Sequence, residues 1–224
     1  MRYYHRSRTL RRCVIYVAVL GVVVLLVVGL VLQQKEAANG CGATEDAHLC
    51  LEKLFPLVLK SLRSLDISLH YLCYYSLWGA LKLGEPLPWT NRIELCVQNE
   101  ELLAKADEGA VVKAFRRHGL EVRYDSANGL YYAWHDADVR CQVYLYVFET
   151  QAGGQSAWRV GWKHRLKSSK VCEGTTCFPA RLVRTPLKQL DFMGLRVNVP
   201  HEEFEIQKYL YPDSWWKEVR APNC

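Results

Sequence analysis

Residues 13–32 form a run of twenty positions without a charged side chain, dominated by Val and Leu. A helix needs about 20 apolar residues to cross hydrocarbon, so this run is expected to span a membrane. Beyond it the pattern changes. Over residues 45–64, apolar side chains recur at helical spacing (Leu49, Leu51, Leu54, Leu57, Val58, Leu62), which predicts an amphipathic helix with Pro56 as a candidate break. Residues 66–74 read as a strand containing His70 and Cys73, and 76–83 as a short helix ended by Gly84. A second strand is predicted over 93–97, then a helix over 99–118 closed by Gly119. Strand-like runs follow at 120–124, 130–134 and 139–148, with Asn128-Gly129 as a hairpin turn between the first two. A loop at 151–155, a strand at 192–199 and a helix at 202–210 complete the pattern. The sum is a mixed α/β domain behind a single N-terminal transmembrane helix.

Charge fixes the expected orientation. Arg2, Arg6, Arg8, Arg11 and Arg12 precede the apolar run with no acid among them, which keeps the N-terminus cytoplasmic and makes the rest lumenal or extracellular. A cleaved signal peptide is the alternative. Its apolar region is normally shorter, and a small-residue cleavage site should follow directly. Here Gln33-Gln34-Lys35-Glu36 follows, with Ala37-Ala38-Asn39-Gly40 a weaker match. The expected organisation is a tail (1–12), a signal anchor (13–32), a stalk (33–44) and a domain (45–224). The formal charge of +6 comes from 29 basic and 23 acidic residues; without the five tail arginines the remainder is 24 against 23. Such a balance is no argument for a nucleic-acid-binding face, and no nucleic-acid partner is expected.

Eight of the nine cysteines lie beyond the anchor, and an even count in an oxidising compartment predicts disulfides. Eight cysteines allow about a hundred pairings. Cys41 with Cys50 and Cys172 with Cys177 are the closest local pairs; Cys73 and Cys96 could also be free buried thiols. No C-x₂-C pair with a nearby His suggests zinc, and no Asn-x-Ser/Thr acceptor occurs.

The stretch from Tyr75 to Val97 has the outline of a phosphotransfer site: a helix start, a turn at Gly84, a rigid Pro88-Trp89 step, then alternation into a strand. In a site of that shape, acidic side chains at every second position after Pro-Trp converge on one metal cluster. Here those positions hold Thr90, Arg92 and Glu94. Ser76-Leu77-Trp78-Gly79-Ala80, Gly84 and Pro88-Trp89 resemble the signature of the LicD and fukutin family of lumenal or bacterial phosphosugar and phosphocholine transferases. Phe178-Pro179, Met193-Gly194-Leu195-Arg196-Val197-Asn198-Val199-Pro200 and Tyr209-Leu210-Tyr211-Pro212-Asp213-Ser214-Trp215 resemble its closing block. The resemblance spans residues 66–216.

What the resemblance implies is a nucleotidyltransferase-like fold, a Golgi membrane location with endoplasmic reticulum as the alternative, and Mg²⁺ or Mn²⁺ as cofactor. The reaction would move a phosphorylated alcohol from a cytidine-diphosphate-activated donor to a glycan. Carried over residue by residue, Ser76 matches the family's helix-start Ser, but Tyr75 replaces its Gly. Thr90 and Arg92 replace two acids, Glu94 retains one, and Gln142 aligns with a fourth. Ser76, Arg92 and Lys82 are the expected donor-phosphate contacts, and Glu94 is the catalytic candidate. Because one carboxylate beside a guanidinium is a poor Mg²⁺ site, a degenerate member is expected. It would bind a glycan, an activated donor or a partner glycosyltransferase; a divergent active transferase is the alternative. Elsewhere, His135-Asp136-Ala137-Asp138 reads as a turn rather than a metal cluster. Trp134, Trp158, Trp162, Trp215 and Trp216 read as packing, Trp162-Lys163-His164-Arg165 as a solvated strand end, and His70 as a buried, satisfied imidazole.

Overall fold

The computed structural model describes residues 45–135, 138–151, 153–166, 172 and 174–217, together with residues 16, 19–25 and 27 of the N-terminal apolar run. Those N-terminal positions are helical, and the larger apolar side chains among them, such as Leu20 and Leu25, are exposed. Among the described residues no helix is long and apolar enough to cross a membrane. Residues 43–220 form a separate compact unit.

That unit opens with α1 (Glu45–Ser64), whose core face presents Leu51, Leu54, Phe55, Val58 and Leu62, all nearly fully buried. Pro56 lies inside this helix and does not split it. A proline in a helix interior costs about 3 kcal/mol. Burying a few Leu- or Phe-sized side chains returns about 1.5–3 kcal/mol each, and that outweighs the loss.

A seven-stranded mixed sheet forms the centre. Its strands are β1 (His70–Leu72), β2 (Arg92–Gln98), β3 (Leu120–Asp125), β4 (Leu130–His135), β5 (Asp138–Thr150), β6 (Ser156–Arg159) and β7 (Cys177–Pro179). The order is β1-β2-β5-β4-β3, and β6 joins β5 and then pairs β7. The β2–β5 pair is parallel and the others are antiparallel. Parallel pairing requires a crossover. It is supplied by α3 (Asn99–Lys105), α4 (Glu108–Arg117) and the β3–β4 hairpin. Between β1 and β2 lies α2 (Tyr74–Leu83), which ends at a left-handed Gly84 as expected. The short α5 (Trp162–Leu166) follows β6. A 3₁₀ turn (Ala180–Val183) leads to a separate hairpin of β8 (Lys188–Phe192) and β9 (Leu195–Val199), and then to α6 (Glu205–Leu210).

Four expectations are corrected. The helix expected over 99–118 is two helices. Asp107 accepts the Ala110 N–H at 2.7 Å and caps α4, and Ala106 before it is extended. The strand expected over 66–74 shrinks to three residues, because the Glu101 carboxylate accepts the Ser68 and Leu69 N–H groups that a ladder would use. The strand expected over 192–199 is a hairpin turning at Met193 (φ 52°) and Gly194 (φ 71°), the left-handed pair that a two-residue turn requires. Cys50 pairs with Cys141, not Cys41. The buried face of α1 lies on β5 and brings the two Cα atoms to 5.9 Å, within bridging range. Cys41 itself lies outside the described residues. Cys172–Cys177 forms as expected, and Cys73 and Cys96 are bonded rather than free.

The Asn128-Gly129 turn is also found, held by the Asp125 carboxylate on the Ala127 and Asn128 N–H groups. Gly129 is required there, since a Cβ would sit 1.7 Å from the Val160 carbonyl oxygen.

Candidate functional site

Alternation along β5 sends Cys141, Val143 and Leu145 to one face of the sheet, where the Cys50–Cys141 bond holds α1. Gln142, Tyr144 and Tyr146 point to the other. In the parallel register Arg92 faces Gln142, Glu94 faces Tyr144 and Cys96 faces Tyr146. Those six side chains therefore share a face, and the first turn of α2 closes it. Cys73, bonded to Cys96, precedes that turn, and Tyr74 enters it with φ 51°. The disulfide thus fastens the start of α2 to the strand that carries Glu94.

Glu94 is 2% exposed, and both its oxygens are occupied. Oε2 accepts the Tyr75 N–H at 2.8 Å, one of the donors a helix leaves unpaired in its first turn. Oε1 accepts Nε–H of Arg92 at 3.1 Å and lies 3.4 Å from the Tyr146 hydroxyl. Ser76 is buried, and its Oγ accepts the Glu94 backbone N–H at 2.7 Å, so its oxygen locks helix to strand. Thr90 turns its hydroxyl onto the Arg92 carbonyl. Lys82 is not brought to this group. It lies six residues beyond Ser76, about 9 Å along the helix axis, with Nζ 5.0 Å from the Trp78 ring centroid.

Tyrosines surround the pair. Tyr74 and Tyr146 meet edge to face at 4.6 Å, as do Tyr144 and Tyr146 at 6.1 Å, while Tyr75 and Tyr211 lie tilted at 5.6 Å. The Arg92 guanidinium lies 5.2 Å from the Tyr144 ring centroid, and that of Arg159 lies 4.3 Å from the Tyr146 centroid. Gln207 of α6, fully buried, donates to the Tyr74 carbonyl at 2.7 Å and ties the closing helix to the start of α2. Burial above all, with the Glu94 carboxylate adding to it, holds the phenols of Tyr74, Tyr146 and Tyr211 well above their ordinary pKa. They are neutral donors at any physiological pH.

Burial is the largest influence on Glu94 and raises its pKa, while Arg92 and the Tyr75 N–H pull the other way. Burial is also the largest influence on Arg92 and disfavours its charge, but the Glu94 carboxylate together with the Tyr146 and Tyr144 hydroxyls outweighs it and the pKa rises. For a carboxyl group with a raised folded pKa, proton uptake stabilises the fold. That contribution is complete below the ordinary glutamate value and is lost as pH rises through the raised one. Wild type is therefore expected to gain stability relative to Glu94→Gln as pH falls across that window. Urea unfolding at a series of pH values measures this, and a relative loss would contradict it.

The arrangement does not fit a divalent cation. Both Glu94 oxygens face proton donors, and a guanidinium stands where Mg²⁺ would need anionic oxygen. Gln142 brings no charge, and among the described residues no group of three or more His, Cys, Asp or Glu could hold a metal ion.

The LicD/FKTN/FKRP nucleotidyltransferase domain matches residues 69–202, more than half of the sequence. The chain belongs to this family. LicD/FKTN/FKRP proteins are phosphotransferase-like and act on glycans, and the match encloses β1, α2, the whole sheet and the closing hairpin. No curated protein matches the sequence. Of the residues singled out for this LicD-type site, Ser76, Arg92, Glu94 and Gln142 are brought together and Lys82 is not. The tyrosine wall went unread. Its signal was the alternation of Tyr144 and Tyr146 in step with Gln142, together with Tyr211 in the closing block.

The remaining expectations fall elsewhere. His135 and Asp138 pair across the β4–β5 ladder, so the segment between them links two strands; Asp136 and Ala137 lie outside the described residues. His70, its Nδ1 3.2 Å from the Ile67 carbonyl, is mostly buried, and burial lowers its pKa. Trp134 and Trp158 lie on strands, whereas Trp162 and Trp216 are exposed. The 162–165 segment is α5, a helix rather than a strand end.

Proposed function

We propose that this protein is a binding member of the LicD family that engages a phosphate-bearing ligand through Arg92 without a metal ion. In this reading it does not transfer the group. The single observation behind it is the state of Glu94, the one acid kept among the aligned positions. Its carboxylate is enclosed by the Tyr75 N–H, the Arg92 guanidinium and the Tyr146 hydroxyl. Transfer of a phosphoryl group rests on charge neutralisation by a metal. A guanidinium can hold phosphate oxygens in its place, but among the described residues beside Arg92 the acid, Glu94, is taken up by proton donors and is not free to activate an acceptor hydroxyl.

The ligand class we assign is a cytidine-diphosphate-activated alcohol or a phosphorylated glycan, and the role is scaffolding of glycan assembly beside a partner glycosyltransferase. The apolar run at residues 13–32 and the arginines before it support a type II single-pass anchor with the domain in the Golgi lumen. The competing reading, an active divergent transferase, draws on family membership and on the retention of Glu94. The full chain, incubated with CDP-ribitol or CDP-choline and a glycan acceptor, is expected to give no turnover with Mg²⁺ or Mn²⁺. Metal-dependent turnover that disappears in Glu94→Gln would establish the transferase instead.

A further inference from the structure

The environment of Arg92 shows what the retained acid does. Nε–H is donated to Glu94 Oε1 at 3.1 Å, and the guanidinium plane rests by the Tyr144 ring with its centre 5.2 Å from the centroid. Neither terminal nitrogen has a partner among the described residues, and 39% of the side chain is open to solvent. One edge of the fork is held and the other is presented. Glu94, in turn, is anchored at three points. Its far oxygen is fixed by the Tyr75 N–H at 2.8 Å, its backbone N–H by Ser76 Oγ at 2.7 Å, and its carbonyl by the Cys73 N–H at 3.1 Å.

We propose that Glu94 is a positioning residue that holds Arg92 with its two terminal nitrogens aimed outward as a ready-made receptor for a phosphate group. This rests on the proposal that Arg92 binds such a ligand, and adds how the receptor is built. A free arginine side chain must be ordered before both nitrogens can meet an oxyanion, and an arginine already ordered avoids that loss. Coulomb's law alone makes the opposite forecast, since deleting a negative charge next to the site should strengthen anion binding. The sign of the effect therefore separates orientation from bulk electrostatics. Glutamine is the informative replacement. It offers one acceptor oxygen where the two oxygens of Glu94 serve three donors, so either Tyr75 or the Arg92 and Tyr146 donors are left facing an NH₂ group.

The test uses the full chain in detergent, titrated calorimetrically with sodium pyrophosphate in the presence of EDTA. Glu94→Gln is expected to bind about tenfold more weakly than wild type. In an Arg92→Ala background, where no guanidinium remains to be oriented, Glu94→Gln is expected to change nothing further. A purely structural role for Glu94 would weaken both backgrounds alike. In wild type the Arg92 Nε–H proton should also give a sharp, exchange-protected NMR signal that Glu94→Gln abolishes. Equal or tighter binding by Glu94→Gln overturns the inference while leaving metal-free binding intact. If wild type binds no pyrophosphate, the functional proposal falls and the Nε–H signal decides alone: protected in wild type, it supports the role given to Glu94; unprotected, it overturns it. The same signal decides if Glu94→Gln does not fold.

Discussion

Replacing Cys50 and Cys141 together with serine is expected to lower the stability of the domain by about 4–5 kcal/mol. The bond joins residues 91 apart, linking the first helix to the long strand β5. Without it the unfolded chain regains the freedom of a very long loop, and the loss grows with the logarithm of loop length. Cys50 and Cys141 are 7% and 0% exposed, so the bond also lies where α1 covers the sheet. A loss of that size should lower the thermal midpoint by about 10 °C or more in a domain of this length, read by circular dichroism. Removing Cys172–Cys177, which closes only five residues, should cost about 2 kcal/mol by the same rule. Equal effects from the two pairs would show that loop length is not what governs their contribution.

The second large effect concerns Arg92. Arg92→Ala removes the guanidinium and leaves the Glu94 carboxylate buried against Tyr146 with its counter-charge gone. Two charge-assisted hydrogen bonds to a phosphate group are lost, about 3 kcal/mol in all, which weakens binding on the order of 100-fold. The same substitution should destabilise the fold as well, because an unpaired buried carboxylate is costly. Arg92→Lys keeps the charge but not the planar fork. It is expected to recover part of the stability and little of the affinity. A lysine that restored full affinity would show that charge, not the fork, is what the ligand reads.

Much of this architecture was legible along the chain because it depends on local chemistry. The stripe of Leu51, Leu54, Val58 and Leu62 dictates α1, Gly84 ends α2 in the left-handed conformation, and Asn128-Gly129 makes its turn. What escaped depends on partners far away in sequence. Cys50 sits nine residues from Cys41 and 91 from Cys141, and only the docking of α1 on β5 makes the longer pairing the real one. Met193 and Gly194 read as part of the strand at 192–199, since methionine rarely announces a left-handed turn. Asp107 is a legible cap, but the helical pattern running through it on both sides conceals the break.

The site divides the same way. Alternation after Pro88-Trp89 puts Arg92 and Glu94 on one face, because a strand's period of two is a strict rule; Gln142, which the family resemblance supplies, meets them through the parallel register. It could not say that Glu94 faces a helix N–H, a guanidinium and a phenol at once. The separation of Lys82 from Ser76, six residues or about 9 Å along a helix axis, was legible; its place beside the Trp78 ring was not.

Pyrophosphate and cytidine diphosphate binding, measured by calorimetry with EDTA and again with excess Mg²⁺, is the most direct trial of a metal-free anion receptor. The expected result is saturable binding of equal affinity in both conditions, weakened on the order of 100-fold in Arg92→Ala. Binding that appears only when Mg²⁺ is supplied, and that survives Arg92→Ala, would contradict it.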